Sequence, residues 1–113
     1  MKFPVLTAQE RAARLAPPTG KLRVVIDSDT YNEVDDQFAI AYALMSPERL
    51  NVEAVYAAPF PSAFLAKMMN ADAGTPMTAD LQEGLEQSYQ EILHLFSLLG
   101  RDPAGMVSRG TTT

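Results

Sequence analysis

A short apolar run that ends in acids constrains this chain more than any other feature. Leu22-Arg23-Val24-Val25-Ile26 is bounded by Pro17-Pro18-Thr19-Gly20 on one side and by Asp27-Ser28-Asp29 on the other. Its β-branched residues and flanking breakers predict a buried strand over 21–26. The acids then sit at the carboxyl end of that strand, the edge at which open α/β sheets place ligands. From Asp36 onward, Phe38, Ile40, Ala41, Leu44 and Met45 recur at helical spacing until Ser46-Pro47 ends the segment. Leu50-Asn51-Val52-Glu53-Ala54-Val55-Tyr56-Ala57 reads as a second strand, so residues 21–60 form a βαβ unit with parallel strands and an acidic loop. The expected fold class is α/β, an open Rossmann-like parallel sheet that starts with this unit.

The flanks are simpler. Residues 7–15 carry a helical pattern in which Thr7 and Glu10 are spaced as a capping box, making 1–20 an N-terminal helical extension. Residues 59–78 hold three prolines and read as a loop, with a short helix possible over 63–70. Residues 79–100 predict a long amphipathic helix, with Leu81, Leu85, Tyr89, Ile92, Leu95, Phe96 and Leu99 on one face and Gly100 as its C-cap. That stripe reads as core, and any part of it left uncovered would drive self-association into a homo-oligomer. Residues 101–113 predict a turn and a polar tail.

Composition excludes several functions. The 113 residues are 47% hydrophobic and 20% charged, ordinary values for one compact domain. A net charge of −5 with no concentration of Lys or Arg argues against nucleic acid as a partner. With no cysteine there is no disulfide, thiolate nucleophile or zinc–thiolate site. No apolar stretch approaches the roughly 20 residues of a membrane span. The first residues, which include Glu10, lack the pattern of a signal peptide. A cytoplasmic protein with no membrane partner is expected.

Asp27, Asp29, Asp35 and Asp36 place four carboxylates within ten residues. Brought together they repel one another, so a fold that gathers them needs a cation or raised pKa values. Oxygen-only ligands favour calcium or magnesium. The plainer reading is that Asp35-Asp36 meets the positive end of the following helix dipole. Asp27 and Asp29, on the far side of the loop, cannot cap that same helix.

Val24-Val25-Ile26-Asp27-Ser28-Asp29, then Val34-Asp35-Asp36-Gln37-Phe38-Ala39-Ile40, resembles the N-terminal signature of the nucleoside hydrolases, an aspartate-rich motif closing the first strand. The usual form there is Asp-Thr-Asp-Pro-Gly, one variable residue, then Asp-Asp. Here Thr30-Tyr31-Asn32-Glu33-Val34 lengthens the link by two residues, as in bacterial variants in which Asp-Thr-Tyr-Asn-Glu leads into the paired acids. The likeness continues through Ala54-Val55-Tyr56-Ala57-Ala58-Pro59-Phe60 and Gly84-Leu85-Glu86-Gln87-Ser88-Tyr89-Gln90-Glu91-Ile92, and covers most of the chain beyond residue 20. Family members are much longer, so the resemblance implies the N-terminal part of the nucleoside hydrolase fold, with residues 1–113 as one incomplete α/β domain.

The resemblance implies calcium-dependent hydrolysis of the N-glycosidic bond of a small-molecule ribonucleoside. Asp29 matches the aspartate that binds calcium and activates water as general base. Asp36 matches the bidentate calcium ligand, Asp35 the carboxylate that hydrogen-bonds ribose hydroxyls, and Asp27 a supporting position beside the metal. His94, in the long helix, reads as a surface or core-edge residue rather than as leaving-group acid, and Asn70 is not assigned to the site. Tyr31-Asn32-Glu33 reads as a solvated turn, the alternative being contact with the sugar. Two rival readings remain open. In a haloacid-dehalogenase-like magnesium phosphatase, Asp27 would be nucleophile and Asp29 general acid, although Tyr31 stands where that family carries Thr or Val. The other is a non-catalytic metal-binding α/β fragment. A calcium EF-hand is disfavoured by Asn32 and Phe38 at its sixth and twelfth positions.

Overall fold

The structure, a computed structural model, describes residues 5–60 and 81–111. The helix expected over 63–70, most of the loop expected over 59–78, and Asn70 lie outside the described residues. In chain order the elements are α1 (Ala8–Leu15), β1 (Leu22–Ser28), α2 (Val34–Leu44), β2 (Leu50–Ala57), α3 (Leu81–Leu98) and β3 (Val107–Arg109).

The capping box starts α1 as its spacing predicts. The Glu10 amide donates to Thr7 Oγ1 at 3.2 Å, and the Thr7 amide donates to Glu10 Oε2 at 2.8 Å. None of the residues of α1 is buried, so the local cap rather than packing specifies this helix.

The sheet is parallel, in the order β1-β2-β3 with β2 central, and the fold is an open α/β Rossmann-like sheet beginning with βαβ. On β1 the alternation turns Leu22, Val24, Ile26 and Ser28 inward and leaves Arg23, Val25 and Asp27 exposed. β2 begins with the same parity, Leu50 and Val52 inward, and ends with Val55 and Ala57 inward. A bulge explains the switch: Val24 pairs with Val52 but Val25 with Ala54, so Glu53 is the extra residue. Glu53 then turns to Arg23, which donates to it through Nε at 2.6 Å and Nη2 at 2.8 Å.

Ile40 and Leu44 of α2, Val55 and Ala57 of β2, and Leu85, Ile92, Leu95 and Phe96 of α3 form one buried cluster. Ile26, Val52, Tyr89, Leu99, Met106 and Val107 pack around it. The apolar stripe expected on the long helix is therefore core from Leu85 to Leu99, while its first member, Leu81, is 40% exposed. The periodicity missed two buried members of the same face, Gly84 and Ser88. Gly84 is where α3 meets the end of β2: a Cβ there would overlap the Phe60 carbonyl oxygen. At its other end α3 closes as a Schellman motif, with Gly100 at φ 62°, its amide donating to the Ser97 carbonyl at 3.1 Å and Arg101 to the Phe96 carbonyl at 2.9 Å.

The stretch expected as a turn and polar tail holds a third strand instead. Pro103 accepts from Met106 and Val107 in a turn, and Val107–Arg109 then pairs with Val55, Tyr56 and Ala57. Only Met106 and Val107 in this segment are apolar and partly buried, too short a run to mark a strand by alternation. Arg109 fastens the strand to α3, donating to both carboxylate oxygens of Glu86 at 2.7 and 2.9 Å while its guanidinium lies 3.6 Å from the Tyr89 ring centroid. Among the described residues no helix is long and apolar enough to cross a membrane.

A candidate acidic site at the carboxyl edge of the sheet

β1 runs two residues further than the apolar run alone predicts, which carries Asp27 and Ser28 into the strand. Strand alternation then separates the acids. Asp27 is exposed, opposite Tyr56 in the ladder, on the sheet face away from the helices. Ser28 points inward and is 5% exposed. Its hydroxyl donates to Asp36 Oδ1 at 2.6 Å, the short distance of an O–H bonded to a carboxylate. Ser28 Oγ also lies 2.7 Å from Thr30 Oγ1. A hydroxyl has one proton to give, so Thr30 donates to Ser28 and Ser28 to Asp36, a buried relay of fixed direction.

Asp36 is thereby drawn back from α2 toward the strand. It is the third residue of the helix, and Asp35 the second; the N-cap is Glu33, which makes no side-chain cap bond. The paired acids are not the cap itself, although both lie in the first turn where the helix dipole favours negative charge. Asp35 is exposed to solvent.

The loop between strand and helix is exposed at Tyr31 and Glu33 but tied down by hydrogen bonds. The Asn32 amide donates to the Asp29 carbonyl at 2.7 Å, and Asn32 Nδ2 donates to Asp29 Oδ2 at 2.9 Å. Tyr31 stacks on Phe60 with ring centroids 6.4 Å apart. Residues 31–33 form the exposed turn expected of them, with Tyr31 56% exposed and Glu33 exposed, and the aromatic pair ties that turn to Phe60. Asn32 Oδ1 is buried without a hydrogen-bond partner among the described residues. Turning the amide over would only set that oxygen against the Asp29 carboxylate, acceptor against acceptor.

Of the four expected site residues, Asp29 and Asp36 are thus fixed on the two sides of the loop, Asp35 stands exposed beside them, and Asp27 faces the other side of the sheet. Among the described residues no three Asp, Glu, His or Cys side chains stand together as a metal-holding group. The expected crowding of four carboxylates does not occur, because a serine and an asparagine each hold one of them. The donor chemistry nevertheless suits a hard cation: Asp29, Asp36 and the orphaned Asn32 Oδ1 present only oxygen. Neither Ser28 nor Thr30 carries a charge or motif that marks it in the sequence. The signal available was the inward parity of position 28, visible only once the strand is extended beyond Ile26.

His94 is exposed on α3 and, with Tyr31, Glu86, Gln87, Gln90 and Glu91, lines an open concavity of about 380 Å³. Its carboxylates are engaged: Gln37 donates to Glu91 at 2.8 Å, and hydrogen bonds from Arg109 and then Gln90 hold the Glu86 carboxyl at about 2. Compared with models of known protein families, with curated proteins and with solved structures, the chain matches none.

Proposed function

We propose that this chain carries the metal- and ribose-binding edge of a nucleoside hydrolase, which splits the N-glycosidic bond of a ribonucleoside into base and ribose. The reading rests on the likeness of the acidic motif, and the observation that carries it furthest is the holding of Asp29 and Asp36. Each has one carboxylate oxygen engaged, by Asn32 and by Ser28, and the other oxygen without a hydrogen-bond partner among the described residues. Side chains oriented in this way need little reorganisation to receive a ligand.

In the reaction, oxygen of water bonds to the anomeric carbon while the carbon–nitrogen bond breaks and its electron pair leaves with the base. Asp29 takes the proton of that water through Oδ1, the oxygen that Asn32 leaves unengaged. Asp35 accepts hydrogen bonds from ribose hydroxyls. Asp36, fixed by the Thr30–Ser28 relay, supplies negative charge on the opposite lip, where an oxocarbenium-like transition state gains from it. Asp29 and Asp36 would hold a calcium ion here, which when bound would lower the pKa of the attacking water and orient the sugar hydroxyls. Asp27, expected beside the metal, lies on the other face of the sheet and has no role in this reading. With this reading goes a cytoplasmic location and a small-molecule partner.

The test is ribose release from inosine and from uridine in calcium, set beside phosphate release from a generic phosphomonoester in magnesium. The reading expects calcium-dependent ribose release that Asp29→Asn abolishes. Phosphate release without ribose release overturns it in favour of a phosphatase.

A further inference from the structure

β1 stands at the edge of the sheet: in the order β1-β2-β3 only one of its sides meets another strand among the described residues. Its ladder shows which backbone groups are used. The Leu22 amide donates to the Arg49 carbonyl at 2.8 Å, and the Ser28 carbonyl accepts from the Ala58 amide at 2.8 Å, so the even-numbered residues of β1 face β2. The N–H and C=O of one strand residue point to the same side, and that side alternates along the chain. Those of Arg23, Val25 and Asp27 therefore face the open edge. The bulge at Glu53 lies on β2 and leaves the alternation of β1 unbroken. Of the helices, α2 packs on β2 and α3 on β2 and β3, and Arg23, Val25 and Asp27 are all exposed.

A row of unpaired N–H and C=O groups is a template for another strand. The side chains specify which strand fits. Arg23, Val25 and Asp27 share the sheet face away from the helices, a base, an apolar residue and an acid at equal spacing. A second copy running antiparallel, with its two-fold axis at Val25, sets Arg23 against Asp27 of that copy, Val25 against Val25, and Asp27 against Arg23. The same axis puts each of these residues in a pair that exchanges both N–H···O=C bonds, because all of them face outward. A slip of two residues sets Val25 against a charge. Arg23 is bonded to Glu53 through Nε and Nη2, but its side chain stays 80% exposed and Nη1 is unused among the described residues. Asp27 makes no ion pair among the described residues.

From this we propose that β1 pairs with β1 of a second copy of this chain, antiparallel about Val25, joining two sheets into one. Main-chain hydrogen bonds supply the attraction, and the Arg23–Asp27 pairs on either side of the axis fix the register. The contact is isologous and uses up the long edge of each copy. The edge that remains, β3, spans only Val107–Arg109, so assembly stops at two. A single strand pair is a small interface, which makes the dimer reversible and dependent on concentration. This inference is independent of the nucleoside hydrolase reading.

Sedimentation velocity of the 113-residue chain across a series of concentrations tests it. The wild-type chain is expected to pass from monomer to dimer as concentration rises. Val25→Pro removes an amide that faces the open edge and not β2, so the sheet keeps its ladder while the dimer Kd rises about tenfold or more. Val25→Lys sets two cations on the axis and leaves the backbone unchanged; it is expected to act alike and carries the test where the proline variant fails to fold, as read by circular dichroism. A mixture reads the register. Asp27→Arg alone and Arg23→Asp alone each set like charges opposite one another and weaken self-association. Mixed in equal amounts the two variants associate again, because every facing pair is then of opposite sign. A chain monomeric at all concentrations, a dimer indifferent to both Val25 variants, or a mixture no tighter than its components overturns the proposal.

Discussion

Ser28 and Thr30 show how a few hydroxyls organise this sheet edge. Thr30 is fully buried and Ser28 nearly so, yet both are satisfied because each bonds to the next group in a line ending on Asp36. Ser88 is the contrast. It is equally buried on α3, but its hydroxyl has no partner among the described residues. An unsatisfied buried hydroxyl costs about 1–3 kcal/mol. Ser88→Ala is therefore expected to raise the midpoint of urea unfolding, a gain of order 1 kcal/mol, and an unchanged or lower midpoint would show that the hydroxyl finds a partner in solution. At this scale the aspartates were legible from the motif, since charge and spacing are written in the residues themselves. Their separation was not: it depends on two extra residues of strand and on neutral partners, Ser28 and Asn32, that carry no charge to mark them.

At the scale of elements, α1 and α3 are specified by different forces. α1 holds itself by its capping box and buries nothing, so its stability is uncoupled from the core. Thr7→Ala is expected to cost the helix about 1 kcal/mol. Far-UV circular dichroism should record a small loss of helicity while the cooperative unfolding midpoint stays in place; a shift of that midpoint would mean that α1 packs on the core after all. α3 is specified by packing, and the apolar spacing of Leu85, Ile92, Leu95 and Phe96 announced it. β2 was equally legible, although its bulge at Glu53 was not, because no local signal distinguishes one skipped residue in a strand that alternates on either side of it. β3 escaped notice for a related reason. Its three residues owe their place to Arg109 holding Glu86 and Tyr89, contacts twenty or more residues apart in sequence.

Across the whole molecule, a single cluster under α2 and α3 holds the sheet, and ion pairs pin its edges. Glu86 lies at about 2 because Arg109 and Gln90 bond its carboxylate; Glu53 is lowered by its hydrogen bonds to Arg23, and Glu10 by those to Thr7. A carboxyl depressed in the folded state contributes stability that is complete above the unfolded value near 4.5 and is lost as pH falls toward the folded value. Thermal midpoints should accordingly hold steady from neutral pH down to about 5 and decline between about 4.5 and 2. Glu86→Gln should flatten part of that decline, modestly, since the pair is partly exposed to solvent. A decline of equal depth in the variant would place the acid sensitivity elsewhere.

The central claim is that Asp29 and Asp36, held by Asn32 and Ser28, form a cation-binding edge. Calorimetric titration of the chain with calcium tests it most directly, together with Asp29→Ala, Asp36→Ala and, as a control on the far sheet face, Asp27→Asn. Binding that stabilises the fold, disappears in both alanine variants and survives in the control is the predicted result. Absence of calcium binding, or binding that outlives the loss of Asp29 and Asp36, would contradict the account and leave the acidic motif a feature of structure alone.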